Sequence, residues 1–161
     1  MSTRSLTKII LNNQVKVAQY GQYDGNLTGA GSIIANFISE NLNKDWKLER
    51  FKELVNNLIP ITDRETLFKL IKEKWSNQSL PDAFVVETGA EILNIINDHL
   101  TDYVFLTPEF EKDFLCEFCY TINLDNETVK VNNSTEIPFE LWTNSLLEVV
   151  ENVNLEILKS I

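Results

Sequence analysis

Residues 5–20, near the start of the chain, read SLTKIILNNQVKVAQY. Two runs rich in apolar and β-branched residues, 5–11 and 15–20, flank the tripeptide Asn12-Asn13-Gln14. Branched residues favour extended backbone, and asparagine tolerates the positive φ angles that tight hairpin turns require. The sequence therefore predicts that the chain begins with a β-hairpin.

Four stretches with helical spacing of apolar residues follow the hairpin. The dipeptide Ile59-Pro60 ends the second of them, because proline cannot continue a helix. A capping box, Thr62-Asp63-Arg64-Glu65, begins the third. The predicted helices cover residues 31–42, residues 44 or 45 to 58, the segment between the capping box and the loop at 77–81, and residues 88–99.

The pattern changes from helical to alternating after residue 100. A short strand is predicted over 103–106 and a longer one over 114–123, followed by a turn at Asp125-Asn126 and a returning strand over 127–131. Residues 139–158 have the composition of a final helix. The sequence predicts one α+β domain over residues 1–161, with an antiparallel sheet built from the N-terminal and C-terminal hairpins and about five packed helices.

Length and hydrophobic content are those of an ordinary globular domain. The 161 residues are 43% hydrophobic, which is enough to bury a core without disulfides or metals. No apolar run reaches the roughly 18 residues that span a bilayer, and the N-terminus lacks a secretory segment. We therefore expect a cytoplasmic protein with no membrane partner.

The net charge of −10 is concentrated in the second half of the chain. Residues 1–81 contain 11 Lys or Arg and 8 Asp or Glu, whereas residues 82–161 contain 3 and 16. Such an acidic half repels phosphates, so direct nucleic acid binding is disfavoured and a basic protein partner is favoured. A solvated acidic surface that keeps the protein soluble explains the same charge. The sequence is also compatible with a homo-oligomer.

Four of the five glycines lie within residues 19–32, QYGQYDGNLTGAGS, where the hairpin leads into the first helix. Bare amides and a helix N-terminus can together bind an anion. The pattern lacks the Lys of a P-loop, and Ile34 replaces the last glycine of a dinucleotide fingerprint. The loop is therefore either an anion site of another kind or a tight turn that lets the helix pack closely.

Side chains beside this loop could complete a ligand site. The hairpin pairing brings Arg4 and Tyr20 to the same end of the sheet, close to Tyr23 and Asp24. Arginine binds phosphate or carboxylate through two parallel hydrogen bonds, and tyrosine can stack on a ring. We predict a small anionic, nucleotide-like ligand at this position.

The remaining motifs point to structure rather than chemistry. Cys116 and Cys119 would face opposite sides of a strand, so we expect no metal site there and assign one thiol to core packing. His99 ends a predicted helix, where a cationic imidazole meets the helix dipole. No cofactor, metal site or catalytic constellation is predicted. One enzymatic alternative remains: removal of the initiator Met would expose Ser2 as an N-terminal nucleophile.

The N-terminal motifs resemble those of a family of small, mostly uncharacterised proteins of bacteriophages and prophages. The shared elements are the opening Ser-Thr-Arg-Ser at residues 2–5, the aromatic-Asp-Gly element at 23–25 and the loop Gly-Ala-Gly at 29–31. Tyr23 stands where many relatives have Trp, and the resemblance covers about the first 40 residues. Together with the loop argument it gives the candidate ligand-binding residues Ser2, Thr3, Arg4, Tyr20, Tyr23, Asp24, Gly25, Gly29, Gly31 and Ser32.

The resemblance implies a phage-encoded accessory protein that acts in the host cell, such as a counter-defence protein. Our leading hypothesis is that it binds and sequesters a nucleotide-derived signal. One alternative is an acidic inhibitor that docks on a basic host nuclease or DNA-binding defence protein. Another is a hydrolase acting on a nucleotide signal through Ser2 or Asp24.

Overall fold

The computed structural model describes residues 3–74, 88–106 and 116–153, and the chain begins with the predicted hairpin. The turn residues Asn12 and Asn13 have φ angles of 55° and 61°, as a tight hairpin requires. In chain order the elements are β1 (Ser5–Leu11), β2 (Gln14–Gly21), α1 (Ser32–Asn41), α2 (Asp45–Asn56), β3 (Ile59–Ile61), α3 (Arg64–Lys74), α4 (Ile92–Asn97), β4 (Tyr103–Phe105), β5 (Phe118–Asn123), β6 (Thr128–Val131), β7 (Ile137–Pro138) and α5 (Asn144–Val153).

In the described part of the chain, the main sheet has five strands in the order β2-β1-β5-β6-β7. Both predicted hairpins are present, and β6 pairs antiparallel with β7 at the edge. The two hairpins meet through β1 and β5, which run parallel, with Thr7 opposite Tyr120. The predicted α+β class and terminal hairpins are therefore confirmed, but the sheet is mixed rather than wholly antiparallel. A parallel pair requires a long crossover, which the helical segment supplies.

One face of the sheet carries the principal core. The aromatic rings of Phe37 on α1 and Phe51 on α2 meet edge to face, with centroids 4.9 Å apart. The buried residues of this core include Ile9, Val17, Tyr120 and Ile122 from the sheet and Ile34, Leu93, Trp142 and Leu147 from the helical side. On the opposite face, Leu6, Ala18 and Cys119 form a smaller cluster, which we call the outer cluster. The alternation of side chains along β1 thus separates the two cores.

The first two helices agree with the sequence prediction, and the third differs at its start. The Asp63 carboxylate, rather than Thr62, caps α3 by accepting the Thr66 amide at 2.6 Å. This bond and the Thr66 hydroxyl lower the pKa of Asp63. The cap lies one residue later than the capping box, because an ionised carboxylate accepts an amide more strongly than a hydroxyl does.

The later elements are shorter than predicted. The fourth helix begins as a 3-10 turn at Gly89–Glu91, and the final helix is preceded by another at Phe139–Leu141. The segment around Pro60, predicted only to end a helix, forms β3 and pairs in parallel with β4. Strand β5 begins at Phe118, and the predicted strand residues 114–115 and helix residues 154–158 lie outside the described part of the chain.

Strand β1 carries one buried polar group whose removal should stabilise the protein. Thr7 is fully buried, and its hydroxyl has no hydrogen-bond partner among the described residues. Thr7→Val keeps the shape of the side chain and removes the unpaired hydroxyl, so the free energy of unfolding should rise by up to about 1 kcal/mol. Urea denaturation measures the change.

Thr7→Ser is the matched control, since it keeps the hydroxyl and deletes the methyl group. Its free energy of unfolding should fall by about 1 kcal/mol. A loss of stability in Thr7→Val would show instead that the hydroxyl is hydrogen-bonded, for example to an ordered water.

Candidate functional site

The loop between β2 and α1 holds the glycines that were predicted to bind an anion. The amides of Gly29 and Gly31 both donate to the Asn26 carbonyl, at 3.0 and 3.3 Å. The Gly25 amide donates to the Thr3 carbonyl at 2.9 Å. The backbone itself uses these three amides, so they do not form the predicted anion site.

The glycines in this loop are required by close packing. A Cβ atom on Gly25 would lie 2.7 Å from the Cβ of Ser5 and 2.8 Å from the Thr3 carbonyl oxygen. A Cβ atom on Gly29 would overlap the Asp24 carbonyl oxygen. That oxygen accepts the Ala30 amide at 2.8 Å. The tight-turn interpretation therefore describes these two glycines.

Two buried aromatic side chains donate hydrogen bonds to backbone carbonyls of the loop. The Tyr120 hydroxyl donates to the Gly25 carbonyl at 2.7 Å, and the Trp142 indole Nε1 donates to the Gly31 carbonyl at 3.1 Å. Burial, and secondarily the charge of Glu151, raise the pKa of Tyr120, which keeps it protonated as a donor. Sequence reasoning missed both residues, although a buried Tyr or Trp normally needs a partner for its polar end.

Arg4, Tyr20, Tyr23 and Glu117 form a group near the open end of the hairpin, which we call the Arg4 cluster. The Arg4 guanidinium is 42% exposed and lies 3.7 Å from the Glu117 carboxylate. Burial raises the pKa of Tyr20, the neighbouring Cys116, Glu117 and Tyr23 raise it further, and Arg4 lowers it. Tyr23 is 60% exposed. Arg4 and Tyr20 therefore lie at the same end of the sheet, as predicted.

The cluster and the loop glycines lie on different faces of the sheet. Tyr20 pairs with Leu6, whose side chain belongs to the outer cluster, so Tyr20 points away from the helices. Gly31 lies on the helical side, with Trp142 bonded to its carbonyl. The structure therefore brings Arg4 and Tyr20 together but does not place them in one cavity with Gly29 and Gly31.

The other predicted site residues have backbone roles in the loop or lie outside the described part of the chain. Asp24 is exposed and adopts a φ of 53°. Thr3 supplies the carbonyl that the Gly25 amide binds, and the Ser32 amide donates to the Gly29 carbonyl. Ser2 lies outside the described residues, so its role as a nucleophile stays a prediction.

The two cysteines and His99 contact neighbouring residues of the fold. Cys119 is buried in the outer cluster and Cys116, which precedes β5, packs against the same cluster. The prediction that the two thiols face opposite sides of one strand was therefore wrong. The His99 Nε2 atom lies 3.0 Å from an Asp102 carboxylate oxygen at the protein surface. Among the described residues, no three His, Cys, Asp or Glu side chains converge as a metal site would require.

A groove of about 450 Å³ runs between α1 and the start of α5. We call it the α1–α5 groove. Its lining combines an apolar floor with a polar rim. The floor consists of Ala35, Ile38, Leu42, Phe139 and Trp142, and the rim of Asn36, Ser39, Asn43, Glu140, Thr143 and Asn144. Sequence reasoning missed this groove, although Asn36 and Ser39 lie three residues apart on one face of α1.

Comparison with protein-family models, curated proteins and solved structures gives no significant match for this chain. Within residues 3–74, 88–106 and 116–153, no helix combines the length and apolar composition needed to cross a membrane. The described residues form an α+β fold.

A pair of glycine substitutions separates packing from other roles of the loop. Gly29→Ala should lower the free energy of unfolding by more than about 2 kcal/mol, because the new Cβ would overlap backbone atoms. Gly31→Ala should change it by less than about 1 kcal/mol, since its nearest neighbours are 3.5 and 3.6 Å away and its backbone is helical. Thermal and urea denaturation measure both. Equal effects would contradict the tight-turn interpretation.

Proposed function

We propose that this protein binds a small organic ligand in the α1–α5 groove and acts by sequestering it. The observation that carries the proposal is the combination of an apolar floor and a hydrogen-bonding rim in about 450 Å³. Small-molecule sites have typical volumes of roughly 300 to 1,000 Å³ and this same division of apolar and polar lining. The resemblance of the N-terminal motifs to phage proteins supplies the biological setting, a phage-encoded accessory protein.

The rim of the groove favours an uncharged or cationic ligand. Among the described residues, Glu140 is the one ionisable side chain in the lining, so the groove offers no side-chain cation to a phosphate or carboxylate. The amide of Asn144 donates to the Asn36 side-chain oxygen at 2.9 Å, which orients both rim residues. Side-chain amides and hydroxyls both donate and accept hydrogen bonds, as the polar edge of a heterocycle requires. We therefore propose an unphosphorylated, planar molecule.

A panel of free bases, nucleosides and heterocyclic amines, each compared with its phosphorylated form where one exists, tests this assignment. We expect at least one uncharged or cationic member to raise the melting temperature and to bind by calorimetry, and the phosphorylated forms to bind at least about tenfold more weakly. No binding by any member, or tighter binding of the phosphorylated forms, would contradict the proposal.

Two tryptophan substitutions locate the binding site. Ser39 is exposed on α1 and lines the groove, so Ser39→Trp should fill it and weaken binding by at least about tenfold. Ser145 is exposed on α5 and is absent from the lining, which makes Ser145→Trp the matched control with unchanged binding. If both variants bound alike, the ligand would occupy another site.

The Arg4 cluster supports a second candidate function, binding of a nucleotide-derived anion. The half-exposed Arg4 guanidinium and the exposed Tyr23 ring supply a cation and a stacking surface close together. Glu117 opposes an anion at this position, because its carboxylate already pairs with Arg4. This candidate keeps the sequence-based ligand class and depends on side chains rather than on loop amides.

Cyclic nucleotides and ADP-ribose derivatives test the second candidate. Arg4→Ala should weaken binding by at least about tenfold, because the ion pair with the phosphate is lost. Glu117→Gln should strengthen binding, since it removes the competing charge and keeps a hydrogen-bond acceptor for the Arg4 amide. Calorimetry that finds no binding, or binding indifferent to Arg4→Ala, would remove this candidate.

The other sequence-based hypotheses, an acidic inhibitor of a host protein and a hydrolase, stay predictions.

A further inference from the structure

The largest exposed aromatic surface on a helix of the described chain belongs to Trp46, in the first turn of α2. Its side chain is 63% exposed, although a tryptophan normally buries most of its area. Two shallow, solvent-open clefts of about 370 and 730 Å³ adjoin it, and both are lined by Trp46 and Arg50. The indole therefore forms a wall shared by two neighbouring clefts. Neither Trp46 nor Arg50 lines the α1–α5 groove.

The polar residues around this ring are held in place by the ends of neighbouring helices. The Lys47 ammonium donates to the Glu40 carbonyl in the last turn of α1 at 2.9 Å and lies 5.7 Å from the Trp46 ring centroid. The Arg50 guanidinium donates to the side chain and carbonyl of Asn97 at 2.8 and 2.9 Å. A ligand would meet these side chains already oriented, which lowers the entropic cost of binding.

The charges in the two clefts are mixed. Of the described residues, three cations and four carboxylates line them, among them Lys52, Glu53 and Asp98. A polyanion such as single-stranded nucleic acid would be attracted by the cations and repelled by the more numerous carboxylates. A hydroxyl group can instead donate a hydrogen bond to a carboxylate or accept one from a cationic side chain, so it can bond to lining residues of either charge.

We propose that Trp46 and its two clefts bind a neutral oligosaccharide. One sugar ring packs its apolar C–H face on the indole, and the adjoining units extend into the clefts, where their hydroxyls bond to charged and amide side chains. The mixed charge of the lining and the single shared aromatic wall carry this assignment. The site is independent of the ligand proposed for the α1–α5 groove.

Titration with three neutral oligosaccharides, maltohexaose, cellohexaose and chitohexaose, tests the proposal through tryptophan fluorescence and calorimetry. At least one should bind with a dissociation constant below about 10 mM, and Trp46→Ala should weaken it by at least about tenfold. Trp46→Tyr should retain most of the affinity, because it keeps an aromatic face. Circular dichroism melts confirm that the variants fold, as expected for an exposed position.

Phe68→Ala is the matched control, since Phe68 is also 63% exposed but lies on α3 and is absent from the lining of both clefts. It should leave sugar binding unchanged, as should the groove-filling Ser39→Trp. The proposal is overturned if none of the three sugars binds, if Trp46→Ala binds as well as the parent chain, or if heparin or single-stranded DNA binds at Trp46 more tightly than every sugar.

Discussion

Strand β1 is hydrogen-bonded on both sides, to β2 and to β5, and this double pairing joins the two hairpins into one sheet. The pairing with β5 is parallel and joins residues more than 100 positions apart, with Ser5 opposite Phe118. Parallel strands cannot be linked by a tight turn, so the intervening chain must cross over the sheet. That crossover contains the principal helices, and it covers β1 so completely that the polar residues Ser5 and Thr7 are buried.

Two carboxylates from the acidic half of the chain accept hydrogen bonds from backbone amides beside this pairing. Glu117 accepts the Arg4 amide at 2.7 Å, next to the β1–β5 junction. Asp125 accepts the amides of the Asn12-Asn13 turn at 2.8 and 2.9 Å, and these bonds lower its pKa. Carboxylates at both ends of β5 therefore hold backbone amides at both ends of β1. Charge that sequence reasoning assigned to a basic partner or to solubility also stabilises the contact between the two hairpins.

Most local elements could be predicted from the sequence, because hairpins and amphipathic helices are encoded by neighbouring residues. The hairpin turn at Asn12 and Asn13 and the buried face of α4 are examples. The parallel β1–β5 junction could not be predicted, since strand patterns carry no information on relative direction. The short β3–β4 pair could not be predicted either. Pro60 ends a helix in any case, and the local pattern does not show whether the residues beside it pair with another strand.

For the candidate site, the sequence predicted which side chains lie together, but it did not predict how the loop amides are oriented. Arg4 and Tyr20 follow from hairpin register, and the structure places them together. The orientation of the glycine amides does not follow from composition, because a glycine loop can turn its amides outward to a ligand or inward to its own carbonyls. Here the Asn26 carbonyl takes two of them. The α1–α5 groove lies between segments about 100 residues apart, and local patterns do not show such a juxtaposition.

The loop and the groove are nevertheless parts of one arrangement, connected by Trp142. Its indole donates to the Gly31 carbonyl, directly before α1 begins, and the same side chain lines the groove floor. The position of α1 relative to Trp142 is thus fixed by the backbone path through the glycines. A tight turn at Gly29 brings α1 close enough for that hydrogen bond, and the distance between α1 and the start of α5 sets the width of the groove. The glycines therefore place one wall of the groove in which we propose that a ligand binds, although none of them lines that groove.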